Sequence, residues 1–158
     1  MDTHSNRLEG FGAAMRLALV EADRAAKASG DVPVGAVLLN PAGQVIAKGR
    51  NEKELHKDPT AHAEIVAIRE ATRVLNDWHL DGCTLVVTLE PCAMCAAAIV
   101  AARIPCVVFG AWDERVGAAG SLYDIVRDPR LGKPAEVIGG VLEAECSKLL
   151  KDFFATAR

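Results

Sequence analysis

Two short motifs, His62-Ala63-Glu64 and Pro91-Cys92-Ala93-Met94-Cys95, each stand where a helix begins, and the stretch between them holds one β-rich apolar run, Leu85 to Leu89. If the motifs act together, the chain must bring two helix starts to one place, which restricts it to folds that alternate helices with the strands of a sheet.

The rest of the pattern agrees. Between Leu8 and Ser29 the positions Met15, Leu17, Ala18, Val20 and Ala22 recur at helical spacing, and Gly30 follows as a stop. Val34 to Leu39 is a continuous apolar run, Pro41-Ala42-Gly43 a turn, and Gln44 to Ala47 a second extended run, together a hairpin. A loop spans Asn51 to Thr60, and Thr60 caps a helix from Ala61 to Leu75 whose first turn contains His62 and Glu64. Pro91 suits a first helical turn, and Cys92 to Ala102 is small and apolar enough to be a buried helix. Cys106 to Phe109 and Glu136 to Ile138 read as strands, Leu122 to Val126 as a short helix and Leu142 to Phe154 as a closing amphipathic helix. The expected architecture is α/β, three-layer α/β/α with a mixed five-stranded sheet, and 158 residues suit a single domain over 1–158.

The chemistry follows from the donor types. Cysteines three positions apart on a helix lie roughly 60° apart around its axis, so both sulfurs can grip one ion. Helix-start amides favour the thiolates that metal binding needs. His62, Cys92 and Cys95 supply three ligands, and tetrahedral zinc then keeps a fourth position for water, the arrangement of a catalytic site. Two thiolates cancel the zinc charge, so the water depends more on a nearby base. Residues 62 and 64 are about 200° apart on a helix, which makes Glu64 a proton shuttle and not a fourth ligand. The amides of Ala63 and Cys92, at the two helix starts, are candidate donors to the reacting group.

Other readings of the same residues exist. His-x-Glu alone serves as surface or cap, and Cys-x-x-Cys alone serves redox chemistry or a structural zinc site. A fourth protein ligand from Cys83, Cys106, Cys146, His56 or His79 would close the site; the three cysteines read as small core residues. The odd number of cysteines, the Cys-x-x-Cys and an N-terminus without an apolar signal core point to the cytoplasm, and no apolar stretch has membrane-spanning length. A net charge of -3 offers no global attraction for nucleic acid. Local basic stretches remain, with Lys48, Arg50, Lys53, His56 and Lys57 in one and Arg127, Arg130 and Lys133 in the other, and both read as solvated surface.

The combination H-x-E and P-C-x-x-C is the signature of the zinc nucleobase deaminases. Asp31-Val-Pro-Val-Gly-Ala36, Asp58-Pro-Thr-Ala-His-Ala-Glu64, Thr88-Leu-Glu-Pro-Cys-Ala-Met-Cys95, Val108-Phe-Gly-Ala111, Gly117-Ala-Ala-Gly-Ser-Leu122 and Asp152-Phe-Phe154 extend the match, and the chain resembles the bacterial tRNA adenosine deaminases over nearly its whole length. The resemblance implies a cytidine-deaminase-like fold, hydrolysis of the wobble adenosine of a tRNA anticodon loop to inosine, one zinc per subunit and a cytoplasmic homodimer. It also implies that His62, Cys92 and Cys95 hold the metal, that Glu64 is catalytic, that Asn51 contacts the target base in a pocket lined by Val34, Ala63 and Leu89, and that Asp113 lies near the ribose. Phe153 and Phe154 are expected to close the core, or one of them to stack on a loop base. Trp112 stands where the family pattern suggests a basic residue, and the residues up to Arg158 add no long basic tail. Two rivals share the motifs: a deaminase of free guanine or cytosine, and a zinc-stabilised nucleic-acid-binding module without catalysis.

Overall fold

The computed structural model describes residues 3–157, with side chains from residue 9 onward; the first two residues and the early side chains of the stretch read for a secretion signal lie outside it. Along the chain it contains α1 (Thr3–Ser29), β1 (Gly35–Leu39), β2 (Val45–Arg50), α2 (Lys53–His56), α3 (Ala63–Leu75), β3 (Thr84–Leu89), α4 (Ala93–Ala101), β4 (Cys106–Ala111), β5 (Glu136–Ile138) and α5 (Glu143–Thr156). The strands form one sheet in the order β2-β1-β3-β4-β5, with β1 antiparallel to both β2 and β3, and β3, β4 and β5 parallel. This is the expected mixed five-stranded sheet.

Side chains alternate across it with a period of two. Ala36, Leu38, Leu85, Val87, Val107 and Phe109 face Ala63, Ala67 and Ala71 of α3 and Ala96 and Ile99 of α4. Val37, Leu39, Val86 and Val108 face Phe11, Ala14, Met15 and Ala18 of α1 and Cys146 of α5. Helices cover both faces, so β1 and β4 are buried throughout, and their sequences are apolar without alternation. Among the described residues no helix is long and apolar enough to cross a membrane.

Two features aim helix starts at one end of the sheet. Because β3 and β4 run parallel, both deliver their next residues to the same edge, β3 into Glu90, Pro91 and α4, and β4 into Trp112 and Asp113. Gly49 brings α3 onto β2: a Cβ there would lie 2.3 Å from the Ala63 carbonyl oxygen and 2.6 Å from the Ala67 nitrogen. Only glycine permits that approach.

Several local expectations fail for identifiable reasons. Thr60 does not cap α3: its hydroxyl donates to Asp58 Oδ1 at 2.7 Å, and the N-cap is His62. Pro91 precedes the first turn of α4, whose N-cap is Cys92. The loop from residue 51 to 60 contains the short helix α2, whose Glu54 and Leu55 amides donate to the remote Asp31 carboxylate at 2.6 and 3.2 Å. Residues 122–126 are not helical: the Leu122 and Tyr123 amides return to the Gly117 carbonyl and Ile125 to Ala118, closing a bridge between Ala119 and Asp124. Phe154 is 53 % exposed and does not close the core, although it stacks edge-on with Phe153.

Candidate active site

His62 and Cys92 are both N-cap residues, each with extended backbone (φ -70, ψ 155 and φ -74, ψ 175) and neither using its side chain to cap. An N-cap side chain leaves the helix axis, so His62 and Cys92 can turn toward each other while Cys95 faces them from the first turn of α4. The imidazole Nδ1 lies 3.6 Å from Cys92 Sγ and 3.5 Å from Cys95 Sγ, and the three donor atoms lie within 4.8 Å of one another.

These distances test the metal directly. Around a tetrahedral zinc with Zn–N about 2.0–2.1 Å and Zn–S about 2.3 Å, nitrogen and sulfur stand about 3.6 Å apart, and the three side chains meet that requirement without movement. Among the described residues no fourth donor joins the cluster. Cys83, Cys106 and Cys146 are buried, and His56 and His79 pair with Glu52 and Asp77 at 2.8 Å.

The protonation pattern agrees. Hydrogen bonding from Cys95, with help from His62 and against burial, holds the Cys92 thiol down to about 4. The same contact, reinforced by burial and by Glu64, pushes the Cys95 thiol far up. The shared hydrogen bond favours one thiolate over two, and a cation between the sulfurs would favour ionising both. The hydrogen bond to Cys92 raises the imidazole of His62 despite burial. Beside them Glu64, in the first turn of α3, is 4 % exposed; burial raises its carboxyl above the ordinary range, opposed by its own backbone N–H and by His62.

A cavity of about 210 Å³ opens over these groups, and Asn51, Val34, Ala63, Leu89 and Asp113 all line it. Asn51 is held in place: its amide donates to the Val32 carbonyl at 3.2 Å and its oxygen accepts from the Lys53 N–H at 3.2 Å. Asp113 Oδ1 accepts from the Arg115 and Val116 amides at 3.0 and 3.3 Å, a tight turn that leaves Oδ2 outside these bonds. Lys53 also lines the cavity, while other members of the basic stretches are neutralised, His56 by Glu52, Lys57 by Glu54, Arg127 by Asp124 and Arg130 by Asp128.

Glu90 and Asp31 stand inside the matched stretches, but the motifs assign them no role. Glu90 lines the cavity and is 2 % exposed; burial works to raise its carboxyl, but hydrogen bonds from Ser121, Asp113 and Ala119 outweigh it and hold it below the usual range. Asp31, 1 % exposed, anchors α2 behind Asn51. Their signal was present: each is a lone carboxylate inside an apolar stretch, which has to be buried and therefore partnered.

A sheet that presents two helix starts, one imidazole, two sulfurs and a buried carboxylate at one edge defines a zinc-dependent deaminase domain, and residues 11–111 match the family described as the cytidine and deoxycytidylate deaminase zinc-binding region. The chain is 45 % identical over 158 residues to the tRNA-specific adenosine deaminase of Haemophilus influenzae, covering all of this chain and 91 % of that one. It is 45 % identical over 144 residues to that of Bacillus subtilis, covering 91 % and 88 %. A solved structure of a tRNA:A34 deaminase, studied for A-to-I editing at the wobble position of transfer RNA, superposes with a TM-score of 0.83 at 43 % identity, over 87 % of this chain and 99 % of that one. The chain belongs to the tRNA-specific adenosine deaminases of the cytidine and deoxycytidylate deaminase family.

Proposed function

We propose that the protein hydrolyses the wobble adenosine of a tRNA anticodon loop to inosine, with one zinc per subunit held by His62 Nδ1, Cys92 and Cys95. The observation that carries this reading is the tetrahedral spacing of one nitrogen and two sulfurs beside a buried carboxylate, in a chain related end to end to tRNA-specific adenosine deaminases. Bound there, zinc would supply a Lewis acid that makes a water easier to deprotonate.

Glu64 moves the protons. It takes one proton from the attacking water and gives it to ring nitrogen N1 of adenine, then takes the second from the hydroxyl formed on C6 and delivers it to the amino nitrogen leaving C6. The water oxygen stays on C6, the C6–N bond breaks and ammonia departs, so adenosine and water become inosine and ammonia. Its raised carboxyl suits the task, because a group that both accepts and returns a proton works best near the ambient pH. Val34, Ala63 and Leu89 form the walls for the flipped base, and Asn51, fixed at both ends of its amide, meets the base edge. Asp113 faces the ribose, where a hydroxyl contact favours RNA over DNA. The protein works as a single deaminase domain, as a homodimer in the cytoplasm.

The deciding experiment offers the enzyme an anticodon stem-loop with adenosine at the wobble position and, separately, free guanine, cytosine and adenosine. The stem-loop is expected to turn over; turnover of a free base alone overturns the substrate.

A further inference from the structure

The carboxylate of Glu90 accepts more hydrogen bonds than any role in the motif asks of it. Oε1 takes the Asp113 N–H at 3.0 Å and the Ser121 hydroxyl, while Oε2 takes the N–H groups of Ala119 and Ser121 at 3.1 and 3.0 Å. All four donors belong to one stretch, residues 113–121, which otherwise contains only turns and isolated bridges. Gly117 lets that stretch close on the carboxylate: a Cβ there would lie 2.4 Å from Glu90 Cδ and 2.5 Å from Oε1. Asp113 and Val116, from the same stretch, form one wall of the cavity.

We infer that Glu90 is a positioning residue that holds the 113–121 loop as a preformed wall, so that Asp113 meets the substrate without an ordering cost at binding. This rests on the proposed reading of the cavity as the site for an RNA nucleotide. A loop without regular structure must lose its backbone freedom either on folding or on substrate binding, and a charged acceptor with four donors makes the loss occur on folding. Glu90 sits at the end of β3, two residues before Cys92, so the wall keeps register with the proposed metal donors through the sheet. The carboxylate acts on the substrate through the loop and does not take part in proton transfer.

The test is Glu90→Gln in the full chain, where one oxygen of the pair becomes an N–H donor facing N–H donors. KM for the anticodon stem-loop is expected to rise about tenfold with kcat changed less than about twofold, as for lost binding that does not deepen toward the transition state. Zinc content stays at the wild-type level. The amide hydrogens of Asp113, Ala119 and Ser121 should exchange with solvent at least about tenfold faster, while those in the body of α3 keep their protection. Ser121→Ala, which removes only the hydroxyl bond, guards against misfolding and should raise KM in the same direction by about twofold. A fall in kcat at unchanged KM, loss of zinc, or unchanged exchange at the three amides overturns the proposal. If the wild-type protein turns over only free bases, the substrate reading fails, whereas the exchange measurement still decides whether Glu90 holds the loop.

Discussion

The two halves of the cavity wall are built by different means. On one side, His62 and Cys92 stand at the N-caps and Glu64 and Cys95 on the first turns of α3 and α4, and their positions follow from helix geometry and from the strands that carry those helices. On the other, Asn51 and Asp113 stand in loops, and each loop is tied by a remote buried carboxylate, Asp31 for residues 54–55 and Glu90 for residues 113–121. The chemistry lies on the regular half and the substrate contacts on the tied half. A reaction centre needs donor atoms fixed to fractions of an ångström, which packed helix starts supply, while a loop wall can differ between relatives and still share that centre.

If the halves are as separate as this, mutations on the regular side should remove chemistry and those on the tied side should remove binding or stability alone. Cys92→Ala is the most severe case: the protein should lose both zinc and activity, and stoichiometric metal in the purified variant contradicts Cys92 as a ligand. Glu64→Ala should keep zinc and fold while the rate falls by at least about 10³-fold, near the upper range for general acid–base catalysis. An unchanged rate removes Glu64 from the mechanism and revives the non-catalytic zinc module.

On the tied half, Asp31→Ala leaves the amides of Glu54 and Leu55 without their acceptor. Losing hydrogen bonds to a buried charged group costs about 2 kcal/mol, which lowers Tm by roughly 4–8 °C for a chain of this length. Zinc should be retained. Loss of the metal in this variant breaks the comparison, because it shows that the two halves fold as one unit.

The same division explains what could be read in advance. The donor set and its helix starts were legible because their signals are local: a two-residue spacing in one case, a three-residue spacing after proline in the other. The sheet is legible because β1 and β4 are uninterrupted apolar runs and β3 is broken only by threonine, itself a strand former. The misreadings fall where a distant or competing partner decides. α2 forms where Asp31, 23 residues away from Glu54, accepts its amides. Residues 122–126 leave the helix their composition favours because the preceding turn is bound to Glu90, 31 residues before Ser121. Thr60 fails as a cap because Asp58 takes its hydroxyl first. The first two partners lie beyond any window of neighbouring residues, whereas the third is a neighbour that competes for the same hydroxyl.

The smallest effect concerns charge at the seam between the halves. The chain carries a net charge of -3, and Lys57, Arg127 and Arg130 of its basic stretches are paired with carboxylates, so its grip on phosphates has to come from the remaining cations. Lys53 is one of them: it lines the cavity together with His62. Lys53→Ala removes one phosphate partner and leaves zinc and Glu64 in place. The slope of log binding constant against log salt for the stem-loop should become shallower by about 0.7, the value for one contact to single-stranded RNA, with affinity reduced similarly for stem-loops of different sequence. Because the cation lies beside the regular half and acts on the substrate side, kcat should not change. A slope that stays the same removes Lys53 from the RNA-binding surface, and a fall in kcat means that its charge acts on the reaction centre, so that binding and chemistry are not divided where the structure divides helix starts from loops.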